Sequence, residues 1–449
     1  MSKHQKKNIY AAGAVLKKEI GLKEALTIVV GVVIGSGIFF KATPVLESAG
    51  SPVAAIIAWL LGGLITLAAA LTLAEIGSAI PETGGVFAYL KELYGEKFAF
   101  LFGWVQALIY IPGILAALSI VFATQATYFM PMTDLQQKLL AIGILVFVAA
   151  LNIISTKLGG RIQFISTIAK MIPIIAIIVF GIIHGMGKET ASLFSGESVH
   201  SFTLTSFGAA ILGTLFAYEG WVSVGNMAGE MKNPQRDLPR SILFGMTIII
   251  AAYVLINVAF FSVMSVQEIV STEKVATDAA LILFGSGGSA IISIGILISI
   301  FGTLNGYLMT GVRVPFAMAQ SKIFPFHHVM GRVESRTSTP INVFIFEVAL
   351  SIIYILSGSF NTLSTLALFA TWIFFVMAIY GVFILRKKRK DLVPTYRVPF
   401  YPFVPLVGII GGVYILVCTV FTDTLYSLIG LAITALGYPV YLYLKKSNM

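Results

Sequence analysis

The chain has 449 residues, 57% of them hydrophobic and only 11% charged, with a net charge of +10 and a mean hydropathy of +0.93. A soluble domain carries roughly 25% charged residues, so an ordinary soluble fold is excluded, and the positive charge reads as membrane topology rather than as a nucleic-acid surface. The single cysteine, Cys418, lies inside an apolar run and excludes an internal disulfide.

Residues 1–20 form a basic tail, expected to be cytoplasmic, with no small-residue cleavage site after it. Long runs without Asp, Glu, Lys or Arg follow at 53–74, 98–133, 242–264, 280–312, 364–385 and 424–444. About 20 apolar residues cross a bilayer as a helix. The pattern predicts an all-α membrane protein with twelve spans, near 24–47, 53–78, 98–128, 138–156, 162–186, 204–230, 241–264, 285–315, 341–359, 362–385, 402–422 and 424–444. With this count, 25 of the 30 basic residues fall on one side, and Lys41, Lys138, Lys188 and Lys274 on the other. That asymmetry places both termini in the cytoplasm. The run Arg386–Lys390 then reads as an anchor after span 10, and residues 80–97 as a short amphipathic helix between spans 2 and 3.

Span 1 contains Gly35-Ser36-Gly37 near its middle, although each Gly costs about 1 kcal/mol of helix propensity. Span 6 contains Glu219-Gly220 in an otherwise apolar helix. In two five-span repeats these are corresponding positions, and an odd number of spans per repeat inverts one copy. Paired interruptions of this kind point to a transporter site near the midplane. Unwinding frees backbone N–H and C=O groups, which must line a cavity and meet a partner. A free amino acid suits both: its carboxylate meets N–H groups after the break, and its ammonium meets carbonyls before it. Close helix packing through small residues is the competing explanation of the first break taken alone.

Span 5 carries Lys170, nine residues past Arg161. That is about 13 Å into the membrane at 1.5 Å per residue. An intramembrane Lys costs at least ~2.5 kcal/mol on insertion scales, so it is expected to face the interior and find carbonyl or hydroxyl partners. Bracing two helices and shuttling a proton are both open roles. Glu75, Glu230 and Glu347 are expected to be tied to nearby basic residues or helix ends. The stretch 229–241, with Pro234 and Pro239, is a turn-rich link from span 6 to span 7. No catalytic set, metal-ligand spacing or phosphate-binding motif is present, so neither an enzyme nor a cofactor is expected.

The stretches "GVVIGSGIF" (31–39), "AEIGSAIPETGG" (74–85), "FAYEGW" (216–221) and "GEMKNPQRDLPRS" (229–241) resemble the amino acid–polyamine–organocation superfamily, and most closely its L-type amino acid transporter branch. Within that branch the chain is similar to bacterial exchangers of serine and threonine and of alanine, serine and cysteine. The resemblance covers residues 15–445 and implies a leucine-transporter-type 5+5 inverted repeat with helices 1 and 6 broken. The first repeat would span 21–186 and the second 204–386, with spans 11 and 12 and the C-terminus at 387–449. It implies sodium-independent exchange of small neutral L-amino acids by alternating access; a proton-coupled symporter of the same fold is the alternative.

Residue by residue, the resemblance places the substrate carboxylate on the backbone of Gly35, Ser36 and Gly37. The amino group would meet carbonyls of Val33, Ile34, Phe216, Ala217 and Glu219, with Phe216 as an aromatic gate. Lys170 would stand where sodium-coupled relatives hold Na⁺, bridging span 5 to span 1 in coupling and gating. Asn305 either faces the substrate side chain or makes an interhelical hydrogen bond. Glu219 stands where animal members often carry Gly, and Tyr307 where many relatives have a small residue. Expected partners are free amino acids and the lipid bilayer of the cell membrane, with no nucleic acid. No disulfide-linked subunit is expected, because Cys418 lies within a span.

Overall fold

The computed structural model describes residues 18–186, 198–272, 274–334, 337–357, 360–422 and 424–447. Of the residues behind the charge asymmetry, Lys188, Arg336 and the basic residues before position 18 lie outside these. The described elements are helical, apart from one isolated bridge between Ile20 and Met231. Ten of the described helices are long and apolar enough to cross a membrane, and two shorter apolar helices accompany them.

The first helix is interrupted where the sequence predicts. It comprises α1 (Leu22–Val33), the one-turn α2 (Gly37–Phe40) and α3 (Ala42–Ala49). Gly50, with φ +81°, ends α3 in the left-handed conformation that stops helices. Ser51 then caps α4 (Pro52–Ala79) by accepting from the Ala54 amide at 3.3 Å, with Pro52 at the first helical position. The amphipathic segment is α5 (Val86–Tyr94), whose Val86–Leu90 side is buried while Lys91 and Glu92 are exposed. The next span is α6 (Glu96–Val105), a π-helical turn over Gln106–Tyr110, and α7 (Ile111–Ala126). Pro112 has no N–H to continue an α ladder across that turn.

Then come α8 (Asp134–Ile154) and α9 (Thr156–Gly185). Along α9, Ile165, Ile168, Ile172, Ile175, Val179 and Ile183 are exposed at three- and four-residue spacing, a stripe suited to lipid. Gln163, Ser166, Thr167, Lys170, Ile174 and Ile177 occupy the opposite, buried face. The helical period therefore turns Lys170 inward.

The sixth span begins as α10 (Leu204–Ala217), turns at 218–222, and continues as a 3₁₀ helix over Ser223–Glu230. Next are α11 (Pro234–Val263), α12 (Val266–Val270) and α13 (Val275–Gly311). Within α13, a first piece, Val275–Phe284, is helical ahead of the stretch expected as the eighth span. Gly285 separates that piece from the rest at φ +72°, a conformation glycine adopts without strain. α14 (Arg313–Gln320) and α15 (His327–Met330) lead to α16 (Ile341–Ser357) and α17 (Phe360–Lys388). Last are α18 (Phe403–Thr422) and α19 (Thr424–Ser447). Of these, α18 packs on α4 and α17, and α19 on α6 and α17.

The centre is formed by α1, α4, α9, α11 and α13, which pack on one another. Two ion pairs, one buried and one half-buried, join helices of the bundle. Arg313 donates to both oxygens of Glu230, at 2.8 and 3.1 Å. Arg386 does the same to Glu75 at 2.7 Å, and the Val398 amide adds a third donor at 2.7 Å. Glu75 and Glu230 thus have the basic partners expected of them. Glu347 does not: it is fully buried in α16, and neither carboxylate oxygen has a hydrogen-bond partner among the described residues.

Candidate functional site: the two helix breaks

The two interruptions meet. Val33 ends α1, Ala217 ends α10, and the Tyr253 hydroxyl of α11 lies 2.9 Å from the carbonyl of the first and 3.0 Å from that of the second. One proton is shared between carbonyls of both broken helices. Tyr218 and Trp59 pack against the Tyr253 ring, with centroids 4.8 and 5.4 Å away. Gly37 lies so close to α10 that an added Cβ would fall 2.8 Å from the Ala217 Cα. Gly220, with φ +109°, makes the second turn, and a Cβ there would fall 2.8 Å from the Tyr307 hydroxyl.

Around this junction is a small cavity of ≈ 40 Å³. Gly35, Ser36 and Gly37 line it from the first break, and Phe216, Ala217 and Glu219 from the second. Ile114, Ala117 and Leu118 of α7, Thr303 and Tyr307 of α13, and Leu368 of α17 complete it. The amides of Gly35, Ser36 and Gly37 have no acceptor among the described residues. Three consecutive buried N–H groups at a cavity wall form an anion-accepting surface, since each is costly to leave unpaired.

The carbonyls freed by the first break are held differently. Lys170 Nζ donates to Ile34 O at 2.6 Å, to Gly31 O at 2.8 Å and to Thr303 Oγ1 at 3.0 Å. Ser299 Oγ adds a 3.3 Å bond to Ile34 O. The buried ammonium finds the carbonyl and hydroxyl partners that its depth requires. It also fastens α9 to the unwound end of α1 and to α13.

Glu219 is buried, and its two oxygens point to different helices. Oε1 accepts from the Tyr110 hydroxyl at 2.9 Å and Oε2 from Trp372 Nε1 at 3.2 Å. Tyr110 is delivered by the π-helical turn, and its ring lies 6.2 Å from that of Tyr307.

Asn305 is not part of the cavity wall. Thr303 and Tyr307 face the cavity, and two residues along an α-helix is a rotation of about 200°. Asn305 instead donates to Gln163 Oε1 at 2.9 Å and to Gly159 O at 3.2 Å, and accepts from Asn152 at 2.8 Å. Of its two expected positions, the interhelical one is occupied. Sequence reading did not single out Tyr253, Thr303, Ser299, Tyr110 or Trp372. Pro112 inside span 3 was the one available sign of the altered helix that presents Tyr110.

Two larger cavities flank the central one. The first, of ≈ 1000 Å³, opens on the side of the N-terminal segment and is lined by Glu19, Lys23, Thr27, Gln163 and Glu230 among others. The second, of ≈ 250 Å³, lies beyond Phe216 and Leu368, which line both it and the central cavity. Near the first, the Ile20 amide donates to Glu230 O at 3.0 Å and the Lys232 amide to Ile20 O at 2.8 Å. That pairing ties the start of the first broken helix to the end of the second.

Residues 20–434 match the family model "Amino acid permease". The chain belongs to this family of amino acid permeases. It is 44% identical to the serine/threonine exchanger SteT of Bacillus subtilis (strain 168), over 96% of this chain and 98% of that protein. It is 32% identical to the human large neutral amino acids transporter small subunit 2, over 96% of this chain and 81% of the relative. The b(0,+)-type amino acid transporter 1 of Mus musculus is 30% identical, over 96% and 89%. The permease is a multi-pass membrane protein of the amino acid–polyamine–organocation superfamily, a transporter and not an enzyme.

Proposed function

We propose that this permease exchanges small neutral L-amino acids such as serine, threonine and alanine across the cell membrane, independently of sodium, by alternating access around the central cavity. The observation that carries the reading is the row of unpaired amides at Gly35, Ser36 and Gly37, facing Phe216 and Glu219 across a small cavity. The amides receive the α-carboxylate. Backbone carbonyls of Val33 at the first break and of Ala217 and Glu219 at the second are there for the ammonium, although those of Val33 and Ala217 already share the Tyr253 proton. Tyr307, Ile114 and Leu118 leave room for small side chains only. Lys170 supplies a fixed positive charge on the carbonyls of span 1, so no sodium ion is needed there.

In this reading the twelve spans form two inverted five-helix repeats, over 21–186 and 204–386, with α18 and α19 outside them. The distribution of Lys and Arg puts both termini in the cytoplasm, so the ≈ 1000 Å³ cavity faces inward. Cys418 lies within α18, which supports a permease without a disulfide-linked subunit. The carboxyl of Glu219 in the cavity wall favours a second reading, a proton-coupled symporter of the same fold.

The test is uptake of labelled serine into proteoliposomes that are empty or preloaded with unlabelled serine. Rapid uptake only into preloaded vesicles is expected. Equal uptake into both, raised by an inwardly directed proton gradient, would establish the symport reading instead. In the same assay Gly37→Ala is expected to lower the initial rate by about tenfold or more. Its new methyl meets backbone rather than a flexible side chain, and overpacking of this kind costs ~1–3 kcal/mol. A wild-type rate in this variant would show that the close crossing of the breaks is not needed.

A further inference from the structure

The cavity beyond Phe216 has a feature that the exchange mechanism does not use. Lys41 is the one charged residue among those lining it. Its backbone is held between two helices: the Lys41 amide donates to Gly37 O at 3.0 Å, and Lys41 O accepts from the Val45 amide at 3.1 Å. No carboxylate among the described residues lies within ion-pair distance of its ammonium. The Lys41 Nζ rests instead over the Phe216 ring, 4.3 Å from the centroid. Phe216 is part of the partition between this cavity and the central one. Ser48 and Thr419 bring hydroxyls to the same space.

A partly desolvated cation without a counter-ion is attracted to an aromatic face, but a carboxylate is the stronger partner. We infer that this cavity is a docking site for the carboxylate of an incoming amino acid, and that Lys41 leaves the Phe216 ring when it takes that carboxylate. The ring is then released from the charge that holds it, and the partition opens as the substrate arrives. The chemistry selects a carboxylate-bearing small molecule, since the cavity supplies one cation, hydroxyls and apolar walls. This inference rests on the functional reading above.

The experiment measures labelled serine exchange from each face separately, in right-side-out and inverted membrane vesicles, for the wild type, Lys41→Gln and Lys41→Arg. If Lys41 receives the carboxylate, Lys41→Gln raises KM about tenfold at the face opposite the N-terminus, the equivalent of one lost ion pair. KM at the N-terminal face stays within about twofold, which also shows that the variant is folded, and Lys41→Arg stays near wild type at both faces. A Lys41 that only braces Phe216 gives the opposite sign: Lys41→Gln loosens the partition and lowers KM at the opposite face. That result, an equal change at both faces, or no change overturns the inference. Absence of serine exchange by the wild type at either face overturns the functional reading, and the docking site with it.

Discussion

Lys170→Met is expected to abolish exchange, lowering the rate of serine uptake by at least about 100-fold. The expected outcome follows from where the ammonium sits. It makes three hydrogen bonds of 2.6–3.0 Å, two of them to carbonyls that the break in span 1 exposes. Hydrogen bonds to a charged group contribute about 1.5–3 kcal/mol each, and ~2.7 kcal/mol is already a factor of 100. Methionine has a similar length and no charge, so the variant retains packing volume but leaves Gly31 O and Ile34 O to Thr303 and Ser299 alone. It also removes an insertion cost of at least ~2.5 kcal/mol, so the protein is expected to reach the membrane in normal amount. Proteoliposome uptake, normalised to purified protein, separates the two effects. Exchange at the wild-type rate would show that the contact between α9 and the unwound end of α1 is only a brace.

Arg313→Gln is expected to destabilise the fold by about 3–5 kcal/mol, the range for breaking a buried ion pair from one side. The Arg313 and Glu230 side chains are 1% and 4% exposed, and the guanidinium grips both carboxylate oxygens. Removing it strands a buried carboxylate at the end of the 3₁₀ helix, where Glu230 O also accepts from the Ile20 amide. The pair therefore fixes the C-terminal half of the broken sixth span to the start of α14 and, through Ile20, to the start of α1. The measurement is thermal unfolding of the purified permease in detergent. The midpoint should fall clearly in Arg313→Gln, and part of the loss should return in Arg313→Gln/Glu230→Gln, which removes the stranded charge. A single variant as stable as the wild type would mean that water reaches Glu230 and satisfies it.

The helix breaks were legible because they violate a local rule. Two glycines around Ser36, and an acidic residue beside Gly220, have no place in a helix whose only task is to fill lipid. Lys170 was legible for the same reason: its cost in a bilayer implies an interior partner before that partner is known. The pairing of Glu75 and Glu230 with basic residues was also foreseen, although the sequence did not name Arg386 and Arg313. Glu347 shows the limit of that reasoning. A carboxylate near a helix end was expected to find a partner, and none of the described residues provides one.

What the sequence determined by itself is the membrane setting, the two interruptions and the inward face of α9. These follow from composition and from the 3.6-residue period, which act within one segment at a time. Only the tertiary structure decided which atoms meet at the breaks. Tyr253 shared between Val33 and Ala217, Thr303 beside Lys170, Tyr110 and Trp372 on Glu219, and Lys41 on Phe216 join residues far apart in the chain. Asn305 turned away from the cavity for the same reason. A rotation of about 200° separates it from Thr303, and with α13 packed against α9 it is Thr303 that lines the cavity.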